Sequence, residues 1–144
     1  MYVAESRRLT HQGAKKMMTT AIDMANAAGI AISCAIVDAG GHIILLERMD
    51  GGRFHTVHSS TTKAVCAASN RRSTSAVGAA GQELDVSHAI GLALAAGPQR
   101  WTAMEGGVPV LVDGQCIVGV SGGDWETDLR IAKAAVESIG AGWS

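Results

Sequence analysis

His55 and His58 are the first residues whose types and spacing suggest a chemistry. Three positions apart on a helix, their side chains share a face. There they could ligate a metal, a haem iron included, or act as an acid and a base. No third ligand accompanies them at a clear spacing, which weakens a zinc site. The competing reading is two solvated histidines at a helix start. Lys63 lies about one turn further on. Facing a pocket, it could bind a carboxylate, or form a Schiff base if burial lowered its pKa. Pairing with Asp38 or Asp50 is the structural alternative. Glu105 precedes Gly106-Gly107, and two glycines before a strand let a ligand or a neighbouring subunit approach the backbone. Glu105 could then serve as a general base; otherwise it is an exposed carboxylate on a turn or bulge. The candidate catalytic set is therefore His55, His58, Lys63 and Glu105. A cofactor-binding set would be His11, Arg48, Gly106 and Gly107. His11, at the start of the first helix, is a candidate axial ligand or an exposed first-turn residue. Arg48 sits at a strand end, where solvation is the default.

These residues need elements to hold them. The stretch Glu105–Asp128 contains two apolar runs, Val108–Val112 and Cys116–Val120, around Asp113-Gly114, a strong hairpin turn signal. Gly122-Gly123 follows, then an acidic helix start. Those glycines could expose N–H groups to an anion. Asp124, Glu126 and Asp128 load the same end with negative charge, so capping by Asp124 is favoured over phosphate binding. In the closing helix Leu129, Ala132, Val136 and Ile139 form a core stripe. Upstream, Thr10–Ala28 reads as an amphipathic helix with Thr10 as N-cap and Gly29 as stop. Ile32–Val37 suits a strand buried on both faces, and His42–Met49 is its return after Asp38-Ala39-Gly40-Gly41. Phe54–Ala68 is a second helix, with Val57, Thr61, Ala64, Val65 and Ala68 on its apolar stripe. Residues 69–83 read as loop with little order of its own. Asp85–Leu94 is a weaker helix candidate. Two hairpins separated by helices cannot form a simple parallel sheet. The expectation is an antiparallel or mixed sheet with the first and last helices packed on it.

At 144 residues the chain reads as one domain, 1–144. With 47% hydrophobic and 17% charged residues it is not a disordered chain. Aromatics are only 3%, so the core must be Ala, Val, Ile, Leu and Met, and base stacking is disfavoured. A net charge of -1 gives no electrostatic footprint for nucleic acid or an acidic membrane. Cys34, Cys66 and Cys116 contain no CxxC and read as small buried hydrophobes in a reducing cytosol. The N-terminus lacks a signal-peptide core, and no apolar run approaches the ~20 residues of a membrane span. A cytoplasmic location is therefore expected. No GxGxxG occurs in a strand-to-helix context, nor any GxxxxGK[ST], so no nucleotide cofactor is expected. CxxCH is missing, so any haem would be non-covalent.

Several motifs occur together in order: Val37-Asp38-Ala39-Gly40-Gly41-His42, Arg48-Met49-Asp50-Gly51, Lys63-Ala64, Glu105-Gly106-Gly107-Val108-Pro109, Asp113-Gly114, Gly119-Val120-Ser121-Gly122-Gly123, and Asp128 with Ala132. In this combination, from about Leu9 to Ile139, the chain resembles the GlcG/HbpS-like proteins, a haem-binding and haem-degrading family. That family includes the C-terminal domain of PduO-type cobalamin adenosyltransferases and OrfY-type proteins of diol-utilisation operons. The resemblance implies a profilin-like three-layer α/β/α fold, an α+β architecture with an antiparallel sheet of about five strands between helices. It also implies homo-oligomers, and in some members haem. The last strand looks about two residues shorter than the family pattern, and Arg71–Arg100 is unlike the better-known members. The first reading is thus a haem- or tetrapyrrole-binding accessory protein. The second is a small-molecule lyase or isomerase of a catabolic pathway, with a pocket at a subunit interface. A purely structural oligomeric module is the third.

Overall fold

The computed structural model describes residues 1–113 and 125–144 in full and the backbone of 115–121. Gly114, Gly122, Gly123 and Asp124 lie outside the described residues, and with them the proposed Asp124 cap and the Gly122-Gly123 anion site.

The chain runs α1 (His11–Ala28), β1 (Ser33–Val37), β2 (Ile43–Arg48), α2 (Phe54–Asn70), α3 (Val86–Ala96), β3 (Val108–Val112), β4 (Gln115–Ser121) and α4 (Trp125–Ser138). Local signals set most of these boundaries. Thr10 Oγ1 accepts from Gly13 N at 3.0 Å and opens α1. Gly29 closes it with φ of 70°, a left-handed cap that costs glycine least. Asp85 caps α3 by accepting from His88 N at 2.8 Å. Asp113 takes φ of 52° at the turn between β3 and β4.

The sheet order is β2-β1-β4-β3, antiparallel throughout. The two hairpins thus join through β1 and β4. All five residues of β1 are buried, as its continuous apolar run requires. Its alternation divides the core in two. Cys34 and Ile36 pack with α1, β3 and α4. Ala35 and Val37 pack with Ala64 and Ala68 of α2. Helices therefore cover both faces. Both hairpins carry a register shift, between Ile36 and Val37 and between Val110 and Leu111. With so few aromatics, close approach between helices depends on small side chains. Ala14, Ala21 and Ala25 of α1 and Ala132 and Ala135 of α4 are all fully buried.

Three expectations change. Among the described residues the sheet has four strands, not about five. At the outer edge of β3, Gly142 makes only an isolated bridge to Leu111, too short to count as a strand. Second, α2 runs two residues further than expected, to Asn70, and the loop after it, 71–83, is an anchored one. Val77 bridges Glu83, and Thr74 is buried against Gly107. Third, on α2 the buried residues are Ser60, Lys63, Ala64, Cys66, Ala67 and Ala68. The expected apolar stripe survives in Ala64 and Ala68, whereas Val57 and Val65 are only half-buried.

The turn between β1 and β2 is organised by one carboxylate. Asp38 Oδ1 accepts from Gly40 N and His42 N, both at 2.9 Å, and lies 3.2 Å from His42 Nδ1. The His42 N–H above all holds the Asp38 carboxyl below its ordinary pKa; burial opposes it, and the Gly40 N–H and the imidazole add smaller lowering effects. A depressed folded-state pKa stabilises at pH above the ordinary carboxylate range. That contribution disappears as pH falls through the folded value. Asp38→Ala should therefore cost about 1–2 kcal/mol at neutral pH in urea unfolding, discounted for the partial exposure of the site. Asp38→Asn should show a shallower loss of stability between neutral pH and pH ~3 than wild type. Equal acid slopes in the two proteins would contradict this assignment.

Candidate functional site

Lys63 and Asp128 form an ion pair inside the protein. Lys63 Nζ donates to Asp128 Oδ2 at 2.8 Å, and the side chains are 4% and 0% exposed. Lys63 sits on α2 and Asp128 in the first turn of α4, so the pair joins the helices of opposite faces around the end of the sheet. Among the described residues the backbones of α2 and α4 do not otherwise approach each other. Two charges taken from water need close geometry and few competing uses to persist. The partner of Lys63 is thus Asp128, not Asp38 or Asp50. Asp38 is occupied by its own turn.

Gly106 and Gly107 are explained by this pair. A Cβ on Gly106 would lie 2.8 Å from Asp128 Cβ and 3.2 Å from Lys63 Nζ, and its φ of 118° already disfavours other residues. A Cβ on Gly107 would overlap the backbone carbonyl of Lys63. The glycines bring the entry of β3 directly against the ion pair. Thr74, 1% exposed, locks them there: Gly107 N donates to Thr74 Oγ1 and Thr74 N to Gly107 O, both at 2.9 Å.

Two cavities open on either side of Lys63. One, about 430 Å³, lies between α2 and the segment from α3 to Met104. Ser59, Thr62 and Lys63 give it a polar floor, and Ile90, Ala93, Pro98, Trp101 and Met104 give it apolar walls. The other, about 660 Å³, is lined by Ile30, Arg53, His55, Thr56 and again Ser59, Lys63 and Met104. The wall at 97–104 is tied to α2 through Cys66, whose thiol donates to Thr102 O at 3.6 Å. Burial pushes that thiol's pKa up, which disfavours its thiolate. A third groove, about 340 Å³, lies elsewhere, between α1 and β2. His11, Lys15, Met18, Ile22, Leu45 and Glu47 are among its walls.

The sequence-derived sets are thus divided. His55 and Lys63 share a cavity, and Gly106 and Gly107 abut Lys63. His58 is exposed and lines none of these three cavities, nor does the half-buried Glu105. His11 belongs to the separate groove, and Arg48 is exposed at the end of β2 and does not line it. Sequence reasoning missed Asp128 as a partner, Thr74 as an anchor, and the walls at Ile90, Trp101 and Met104. An acidic residue in a first helical turn has an ordinary explanation in the helix dipole. Its complete burial shows only in three dimensions.

Because the neighbour of Gly107 is backbone, it cannot move aside. Gly107→Ala should cost about 2–4 kcal/mol in denaturant unfolding, through overpacking and loss of the Thr74 hydrogen bonds. Thr74→Val should cost about 1–2 kcal/mol through the unpaired Gly107 N–H. A change below about 0.5 kcal/mol in Gly107→Ala would contradict the close approach.

Comparison with known proteins places this arrangement. Residues 9–137 match the family of HbpS-like haem degrading proteins. Protein GlcG of Escherichia coli strain K12 is 38% identical over 115 residues, spanning 78% of this chain and 81% of GlcG. The crystal structure of ORFY from Klebsiella pneumoniae superposes with a TM-score of 0.81 at 28% identity, covering 97% of each chain. The haem complex of PduOC shares the fold, with a TM-score of 0.80 at 21% identity over 94% of this chain and 98% of that one. With its antiparallel sheet between helices, its Glu105-Gly106-Gly107 entry to β3 and a family match over most of its length, the chain belongs to the HbpS-like family.

Proposed function

We propose that this chain is a haem- or tetrapyrrole-binding accessory protein, cytoplasmic and homo-oligomeric, on a single profilin-like domain. Family membership supports haem-related chemistry. The observation that carries the reading is the groove between α1 and β2. It is the one of the three cavities that combines an imidazole, His11, with a lysine free of the buried ion pair, Lys15, and with apolar walls from Met18, Ile22 and Leu45. Those residue types fit a haem: an imidazole for the iron, an ammonium for a propionate, and apolar surface for the macrocycle. When bound, haem would supply the redox and oxygen chemistry. The chain's part would be to present His11 from the capped first turn of α1, to offer Ile22 and Leu45 as apolar surface, and to hold a carboxylate at Lys15.

A second reading is supported by Lys63, which floors two cavities beside His55. This is a small-molecule lyase or isomerase. An ammonium donating to Asp128 has no lone pair for a carbonyl, so Lys63 would polarise or bind an oxygen and not form a Schiff base. This reading fails if native mass spectrometry finds no small carboxylate or carbonyl compound, retained or added, on the protein.

Hemin titration of the apo protein tests the first reading. A shifted Soret band is expected at micromolar hemin. His11→Ala should weaken binding at least about tenfold, the scale of losing one ligand, while His42→Ala, His55→Ala, His58→Ala and His88→Ala retain the band. No Soret shift, or an unchanged shift in all five variants, would overturn it.

A further inference from the structure

The two cavities beside Lys63 share three walls, Ser59, Lys63 and Met104, so they meet along one stripe of α2. His55, Ser59 and Lys63 recur every four residues. Their side chains therefore stand in a row about 12 Å long, with Ser59 at its midpoint. The Ser59 hydroxyl is engaged only by a long bond, 3.4 Å, to Thr56 O. At one end of the row Lys63 is 4% exposed and gives one of its three protons to Asp128. The other two meet no protein acceptor among the described residues. At the other end Arg53 lines the same cavity as His55, and among the described residues it has no ion-pair partner. The start of α2 adds to this positive end, because it has no side-chain cap and no acidic residue in its first turn. No carboxylate lines either cavity among the described residues.

The two volumes differ in character. The one with Arg53 and His55, about 660 Å³, is cationic. The other, about 430 Å³, is walled by Ile90, Ala93, Pro98 and Trp101. Each falls within the ~300–1,000 Å³ of small-molecule sites. We propose that together they form one binding site for a small organic monocarboxylate with an apolar body. The carboxylate lies over Ser59, between Lys63 and Arg53, and the body lies against Ile90 and Trp101. This rests on the second reading in taking Lys63 as a group that meets a ligand oxygen; it names the ligand class and requires no turnover. Charge decides that class. Lys63 and Asp128 cancel, which leaves Arg53 as one uncompensated cation. A single carboxylate balances it, and the guanidinium fork suits two carboxylate oxygens. A phosphate dianion brings one charge too many. A second carboxylate on the ligand would have to lie unpaired among apolar walls.

Hexanoate is the probe, titrated into the full chain at neutral pH and followed by calorimetry and tryptophan emission. Saturable binding to one site is expected. Acetate, four methylenes shorter, should bind at least about tenfold more weakly. So should hexanamide, which keeps the shape and loses the charge, by at least about tenfold. Arg53→Ala should weaken hexanoate at least about tenfold, and Arg53→Lys should recover part of that loss. Ile90→Asp should weaken hexanoate at least about tenfold and leave acetate within about twofold. Arg53 and Ile90 are both exposed, so these variants should keep the fold, as far-UV dichroism checks. Arg130→Ala, exposed on α4 and outside both cavities, should bind as wild type does. Hexanamide or hexyl phosphate binding as tightly as hexanoate overturns the ligand class. Unchanged hexanoate affinity in Arg53→Ala or in Ile90→Asp overturns the site. In each of these cases a carboxylate or carbonyl compound still binds, and the lyase or isomerase reading survives. No saturable binding of hexanoate at millimolar concentration also overturns the proposal. A different carbonyl compound retained in native mass spectrometry would then leave the second reading standing alone.

Discussion

The Lys63–Asp128 ion pair is the constraint on which the rest of this structure depends. A lysine and an aspartate withdrawn from water at 2.8 Å are costly unless each stays with the other. Meeting that condition fixes α2 relative to α4 across the end of the sheet. It requires the chain entering β3 to pass without side chains, which explains Gly106 and Gly107. It also anchors the loop at Thr74, which fills the remaining space and satisfies the Gly107 backbone. The Lys63-Ala64, Glu-Gly-Gly and Asp128 features, far apart in sequence, therefore express one physical requirement.

Around that fixed floor the molecule is uneven. On the α1 and α4 side the core is closed by alanine and methionine at close range. On the α2 side, past Ala64 and Ala68, packing gives way to two open cavities, one walled by an apolar segment with no buried residue and the other sharing only Met104 with that segment. The groove at His11 is independent of this region. It is shaped by α1 and β2 and leaves the ion pair undisturbed.

Much of the architecture was legible in the residues. Thr10, Gly29, Asp85 and Asp113 are local signals, and each acts where its type predicts. The continuous run at Ile32–Val37 marks a strand covered on both faces, and β1 is that strand. The candidate site was legible in residues but not in pairings. Lys63 and the two glycines stand out by type, yet Asp128 is 65 positions away from Lys63 and sits where an acidic residue is already expected. Hydrophobic periodicity also assigns Ser60 and Lys63 to no core, because period counting cannot anticipate a buried charge whose partner comes from another layer. The fifth strand came from resemblance. In this chain its nearest counterpart is a single bridge at Gly142.

A double-mutant cycle on Lys63 and Asp128 tests the central claim most directly. Lys63→Met leaves a buried carboxylate without its ammonium, and Asp128→Asn leaves the reverse. Each single variant should lose about 3–5 kcal/mol of unfolding free energy. The double variant, with no charge left to strand, should lose much less than their sum, giving a coupling above about 2 kcal/mol. Single losses that add to within about 0.5 kcal/mol would contradict the account, because two residues that do not interact behave in that way.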